Sequence, residues 1–240
     1  MRKIFTITAI LLSAVMFSSC HRGEHLSKEE KAQRDSILAL RPVEQREWIS
    51  VDPLDLQMNP VKAFARDWMA LAVGNNKAMN AMTISWGTIG ELWGKPVVIV
   101  YVSSDRYSKA LMDKNSYFTV SAFPESIKNR EILSYIGSHS QAEEPDKVTN
   151  AGLKVEYSAL GNPLFKQANL AIECKKLYSD EFKKTLMPDD VRHLYDELGV
   201  HTFYIGEIVN VFVKNSDGVD ELIQKEEAQS DSQQQQHQGK

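Results

Sequence analysis

A mainly β fold, an antiparallel barrel with helical insertions, is what this 240-residue sequence predicts, and three observations predict it. Six segments carry the β-branched and aromatic content of strands, several of them alternating with a period of two. Strands and helices do not follow one another regularly, and no glycine-rich turn succeeds an early strand, which argues against a doubly wound parallel sheet. Residues 47–222 are the size of one domain with a substantial core, and no internal repeat divides them.

Taken in order, the chain opens on an address. Arg2 and Lys3 precede the mostly apolar run Ile4–Phe17, fourteen residues long, shorter than the roughly 20 needed to span a bilayer as a helix. A signal peptide over 1–20 is the expectation. The segment ends Phe17-Ser18-Ser19-Cys20, and small residues directly before a cysteine resemble the lipobox of bacterial lipoproteins, in which the cysteine is acylated. Cys20 is then the lipidation site, and the protein is exported and held at a membrane, facing the periplasm or the cell surface. Without Arg2 and Lys3 the chain has 26 basic against 32 acidic residues, a net charge near −6, which excludes nucleic acid as a natural partner. Residues 21–46 read as a polar tether in which Ser27 and Glu30 form a capping box for a helix over 28–40, stopped by Pro42. The Gln-rich stretch 223–240 lacks large apolar residues and reads as a disordered tail.

Inside the domain, Val61, Phe64, Ala65, Trp68 and Leu71 recur at spacings of three and four, predicting an amphipathic helix over 60–71. Strands are predicted at Ala81–Ser85, Val97–Val102, Tyr117–Phe123, Leu153–Tyr157, Ala168–Cys174 and Thr202–Phe212. Short helices fit at Tyr107–Lys114, Ser126–Tyr135 and Asp189–Glu197, the last announced by Pro188-Asp189-Asp190. Cys174 lies in an alternating strand context and reads as a small buried apolar residue. With Cys20 lipidated, neither an intrachain disulfide nor a cysteine-based metal site remains.

The chemistry concentrates in two places. In Asn80–Gly87 the period of two puts Thr83 and Ser85 on one strand face and Met82, Ile84 and Trp86 on the other. About twenty residues on, Ser103-Ser104-Asp105-Arg106-Tyr107-Ser108 follows a buried strand and begins a helix. Arg106 can grip a phosphate bidentately, Ser103, Ser104 and Ser108 add hydroxyl donors, and the helix start favours an anion. A phosphate and a flat polar ring both suit that arrangement, which points to flavin mononucleotide (FMN). An alternative from spacing alone is a surface arginine paired with Asp105.

Several motifs in one order then carry a family resemblance: Asn80-Ala-Met-Thr-Ile-Ser-Trp-Gly87, Gly90-Glu-Leu-Trp93-Gly-Lys-Pro96, Arg106-Tyr-Ser108, Tyr117-Phe-Thr-Val-Ser121, Gly137-Ser-His-Ser140 with Asp146-Lys147, and His201-Thr-Phe-Tyr-Ile-Gly206. From Trp48 to Val213 the chain resembles the flavin reductase-like, flavoredoxin-type proteins. The resemblance implies a split β-barrel of Greek-key type that binds FMN, with a homodimer placing the cofactor near the subunit interface. It implies that Asn80, Met82, Thr83, Ile84, Ser85 and Trp86 line the ring and ribityl chain, that Arg106, Tyr107 and Ser108 hold the phosphate, to which the residues themselves add the Ser103 hydroxyl, and that Ser138, His139, Ser140 and Lys147 close the site from a loop. Two departures stand out. Ser103-Ser104-Asp105 replaces the proline that often precedes Arg-Tyr-Thr in relatives, with Ser108 in place of the threonine, and Gln141 stands where an arginine tends to follow the serine.

Six histidines are present. His21, His25 and His237 fall in the tether and tail, and His193 and His201 are eight apart with no patterned carboxylate, so no metal site is read. His139 is the candidate catalytic residue, as a proton donor or a ring contact; a loop histidine in a hydrogen-bond network is the alternative. The cofactor carries the redox chemistry, so flavin reduction with NAD(P)H or another electron donor, a non-catalytic flavin carrier, and a binding protein that has lost its flavin all fit the residues.

Overall fold

The computed structural model describes residues 47–215. The expected signal segment 1–20 with Cys20, the tether 21–46 with its helix, residues 216–222 and the tail 223–240 lie outside the described residues, as do His21, His25 and His237.

Ten strands are present: β1 (Trp48–Val51), β2 (Met69–Gly74), β3 (Met79–Ile84), β4 (Gly87–Leu92), β5 (Lys95–Ser103), β6 (Tyr117–Ala122), β7 (Val155–Tyr157), β8 (Pro163–Phe165), β9 (Leu170–Glu181) and β10 (His201–Lys214). Helices are short: α1 (Pro60–Lys62), continued by a π turn at Ala63–Asp67, α2 (Tyr107–Lys114), α3 (Ile127–Ser138), α4 (Lys147–Asn150), α5 (Asp189–Arg192) and α6 (Leu194–Leu198). Eight strands make one antiparallel sheet in the order β3-β2-β6-β9-β10-β5-β4, with β1 added beside β10, and β7–β8 form a separate hairpin.

β10 organises the sheet. Along one edge its first half, His201–Glu207, pairs with β5 and its last residues, Val211–Lys214, pair with β1; the other edge follows β9. Met69, Leu71 and Val73 of β2 and Met82 and Ile84 of β3 share a single core with Val98, Val100 and Val102 of β5 and with Tyr204, Ile208 and Val211 of β10. Residues from both ends of the strand order meet in one interior, so the sheet curls into a barrel. β3 and β4 are not hydrogen-bonded to each other. The Phe64 ring rests against the backbone of Gly87 there and fills the open seam with apolar surface.

The predicted helix over 60–71 is the main correction. Helix geometry ends by Asp67, Trp68 takes φ +63°, and Met69–Gly74 is a strand paired with β3 and β6. Val61 and Ala65, two members of the supposed apolar stripe, are exposed. Met69–Val73 are all buried because β2 has core on both faces: Leu71 and Val73 point to the barrel interior, while Ala70 and Ala72 pack with Ile132, Leu133 and Ile136 of α3. A strand buried on both sides is an unbroken apolar run, which periodicity alone does not separate from a helix.

Other differences are smaller. The sequence reading missed β1, β4 and β8; β4 contains two glycines and a glutamate and owes its strand form to pairing with β5. The Leu153–Tyr157 segment lies in the outlying β7–β8 hairpin, not in the barrel. The predicted Asp189–Glu197 helix is broken at His193 into α5 and α6. Predicted strands at β5, β6 and β10 and the helix at α2 fall where expected, β9 runs on to Glu181 beyond the predicted 168–174, and Cys174 is fully buried in the core.

Gly206 tests the packing at the barrel centre. A Cβ there would lie 2.5 Å from the Phe118 ring and 2.7 Å from Cys174 Cβ. Gly206→Ala is therefore expected to cost about 1–3 kcal/mol through overpacking, read as a lower urea midpoint with unchanged slope.

Candidate functional site

The site begins at the corner between β3 and β4. β3 ends at Ile84, and Ser85 and Trp86 leave the strand before β4 starts. Asn80, Met82 and Ile84 are buried, as alternation requires. Thr83 faces the opposite side, half-buried, with its hydroxyl donating to the Leu133 carbonyl of α3. Because the strand stops at Ile84, Trp86 does not follow Met82 and Ile84 into the core. It is 42% exposed, and its ring lies tilted over His201 with centroids 5.0 Å apart.

His201 is there because it is the first residue of β10, paired with Ser103, the last of β5. The strand ends and the corner together enclose a cleft of about 270 Å³ lined by Met82, Thr83, Ile84, Ser85, Trp86, Tyr101, Ser103, Asp105, Arg106 and His201. Its floor is apolar and its rim carries hydroxyls, an imidazole and an indole. A flat heteroaromatic ring with polar edges matches that lining.

A smaller pocket of about 90 Å³ adjoins it, sharing Met82, Asp105 and Arg106, and is lined also by Asn80, Tyr107, Ser108, Ile136, His139, Ser140, Gln141 and Lys147. Arg106 precedes α2, whose N-terminus receives no side-chain cap. The Arg106 guanidinium donates to the Gly137 carbonyl over 3.1 Å. Lys147 Nζ donates to the carbonyls of Ile136 and His139, at 3.4 and 3.2 Å. Neither cation makes an ion pair among the described residues, so the pairing of Arg106 with Asp105 is not formed. Burial, reinforced by the Arg106 charge and opposed by Glu144, pushes the Lys147 ammonium down to about 8.

Polar groups in this pocket are also short of partners. Asn80 Nδ2 donates to the buried Ser108 hydroxyl over 2.8 Å, and Asn80 Oδ1 is buried with no partner. An unpaired buried acceptor costs about 1–3 kcal/mol, which a ligand hydroxyl removes. Two cations, a helix start, a serine and an unpaired amide form a receptor for a phosphate on a hydroxylated chain. Close packing of α3 on β3 holds the two compartments in register: a Cβ on Gly137 would lie 3.1 Å from the Thr83 side chain.

Of the residues singled out in the sequence, Asn80, Met82, Thr83, Ile84, Ser85, Trp86, Ser103, Arg106, Tyr107, Ser108, His139, Ser140 and Lys147 all line one or both compartments. Ser138 does not. Gly137 and Ser138 belong to the last turn of α3, not to a loop, and the Ser138 hydroxyl donates back to the Ser134 and Tyr135 carbonyls. His139 is on the cationic side, away from Trp86. It stacks on Tyr135 at 3.9 Å, and its Nδ1 lies 3.0 Å from the Tyr135 carbonyl, so Nδ1 carries the proton. That placement matches the hydrogen-bond-network alternative. The sequence reading missed Tyr101, Asp105, Gln141 and His201 as site residues; for His201 the signal was its place at the start of a strand, visible only once β10 pairs with β5.

A family profile described as "Flavin reductase like domain" matches residues 62–228. Among solved structures, the chain is similar to an FMN-binding domain of a flavin reductases-like enzyme from Shewanella baltica OS155, at 14% identity over 70% of this chain and 77% of that one, with a TM-score of 0.50. Flavoredoxin from Methanosarcina acetivorans has 20% identity, coverage of 67% and 75%, and a TM-score of 0.49. The FMN-binding protein from Thermus thermophilus has 21% identity, coverage of 67% and 80%, and the same TM-score. No curated protein matches significantly.

His201 supplies a direct check on the cleft. Its burial lowers its affinity for a proton, the Arg106 charge acts in the same direction, and the Gly199 carbonyl and Asp105 act against both. With its folded pKa below the ordinary value, the native state binds fewer protons than the unfolded chain, so His201 costs stability as pH falls below about 6.5. An NMR titration of the ligand-free protein is expected to place this imidazole below 6.5; a midpoint at or above that value contradicts the buried geometry.

Proposed function

The chain belongs to the flavin reductase-like family, and from that membership and the geometry of its two joined compartments we propose that it is a redox protein that binds FMN. The cleft of Trp86 and His201 takes the ring, and the pocket of Arg106 and Lys147 takes the phosphate. The observation that carries this reading is the cation pair: two positive side chains turned into one small pocket, neither matched by a carboxylate. The unpaired Asn80 Oδ1, a group of the smaller pocket, suits a ribityl hydroxyl.

FMN supplies electron and hydride transfer when bound; the chain supplies placement. Met82 and Ile84 present an apolar floor, and Trp86 bounds the cleft from its exposed side. His201, with Nδ1 committed to the Gly199 carbonyl at 3.2 Å, keeps Nε2 as its free nitrogen. It is the imidazole on the ring side, and a proton-handling role falls to it before His139.

Flavin reduction and electron transfer through a held flavin are both within this proposal, and the donor separates them. Lipidation at Cys20, export and a homodimer belong to it as well, supported by the Phe17–Cys20 motif and the family resemblance. An exported domain meets little NAD(P)H, which favours another electron donor and a carrier role.

Three measurements test the reading. Purified protein is expected to be yellow or to take up FMN; a colourless protein that refuses added flavin sinks it, and anaerobic bleaching by NADH or NADPH assigns reductase activity. Arg106→Ala is expected to weaken FMN by roughly tenfold to a hundredfold, the loss of a charged hydrogen bond, while riboflavin is little changed; equal losses show that Arg106 does not hold the phosphate. Cys20→Ser is expected to release the protein from membranes, and an unchanged distribution refutes the anchor.

A further inference from the structure

We propose that Lys147 is the residue by which this site distinguishes a phosphate monoester dianion from a neutral ligand, and that it takes up a proton as the dianion binds. The inference rests on the FMN-binding reading above and assigns a separate task to each cation of the pocket.

Lys147 is 2% exposed. Lysines ordinarily keep the ammonium in water, and a buried charge without a counter-ion is costly. Among the described residues the ammonium donates to carbonyls, those of Ile136 and His139 at the C-terminal end of α3, while Arg106 takes the Gly137 carbonyl between them. A helix C-terminus carries about half a negative charge, too little to balance two cations. The other charged or titratable groups around Lys147 are Asp105 and Tyr107 beside Arg106, Tyr135 on α3 and His139 just after it, and Glu144 on the approach to α4. Glu144 is engaged elsewhere: it accepts from Asn150 Nδ2 and from the Tyr135 hydroxyl, which hold its carboxyl below the usual range. Neither Glu144 nor Asp105 forms an ion pair with Lys147. The missing charge is that of an anion in the pocket.

The two cations answer to pH differently. A guanidinium stays protonated throughout the accessible range, so Arg106 holds a phosphate without sensing pH. Lys147, pushed down to about 8 by burial and by Arg106, is neutral in the ligand-free site at higher pH. A phosphate monoester, dianionic above about 6, restores the ammonium when it arrives. Binding and proton uptake are then linked, and affinity falls as pH rises through 8.

The experiment measures FMN and riboflavin affinity from pH 6.5 to 9.5 and follows their ratio, so that titration of the shared ring cancels. The preference for FMN is expected to hold level up to about pH 8 and then fall by up to tenfold per pH unit, with proton uptake seen by calorimetry in two buffers of different ionisation heat. Lys147→Arg, charged at every pH used, should keep the preference and abolish the fall. Lys147→Met should lower the preference about tenfold or more and leave it independent of pH, the loss of a charged contact. His139→Gln should leave the fall in place. A level ratio in the wild type overturns the proposal, as does a fall that persists in Lys147→Arg or vanishes in His139→Gln. If neither flavin binds, the flavin reading fails separately, and the same pH series with inorganic phosphate decides Lys147: a fall above pH 8 that Lys147→Arg removes sustains it, and a level or absent response overturns it.

Discussion

Two like charges pressed into one small pocket are the constraint on which the rest of the site depends. Arg106 comes from the turn after β5 and Lys147 from the start of α4, forty-one residues apart, and what brings them together is the end of α3. Three carbonyls within four residues, Ile136, Gly137 and His139, receive the two cations. The helix end offers concentrated negative potential where neither cation has an ion pair among the described residues. Position follows from that: α3 must end at this point, and it must lie close against β3, which the Gly137–Thr83 contact secures.

The barrel supplies the other half of the geometry. The antiparallel register of β5 with β10 places His201 beside Ser103, and the unpaired seam between β3 and β4 lets Trp86 swing out over His201 instead of joining the core. The opening in the barrel and the cleft are thus one feature, kept from collapse by Phe64 beneath it. Elsewhere the core is shut tightly, with Ala70, Val98, Val120, Ile172 and Tyr204 fully buried.

Much of this is legible in the amino-acid sequence. The motif Asn80–Gly87 is the corner, and Arg106-Tyr107-Ser108 is the turn into a helix, because each is a short local arrangement with its own signal: alternation ending in a glycine, and hydroxyls at a helix start. Thirteen of the fourteen binding residues named from the sequence, drawn from these two motifs and from Ser103, the Gly137–Ser140 segment and Lys147, line the compartments. The failures are non-local. Met69–Gly74 had helical spacing behind it and a two-sided core ahead of it, and only the partners β3 and β6 decided for strand. Ser138 was misplaced because the helix runs one turn further than its sequence pattern indicated.

By itself, then, the sequence determined the mainly β class, the family and the residue types of a phosphate-and-ring site, since strand alternation, helix starts and motif order are properties of neighbours along the chain. The tertiary structure alone decided which residue faces what. Lys147 enters the sequence reading only through the family resemblance, which has it close the site from a loop, and its burial comes from the start of α4 lying against the carbonyls that end α3. His201 lies just before the predicted strand Thr202–Phe212, and it enters the ring cleft as the first residue of β10 through its register with β5. Charge pairing, burial and proton affinity depend on distances between segments remote in the chain, and those distances are fixed by closure of the barrel.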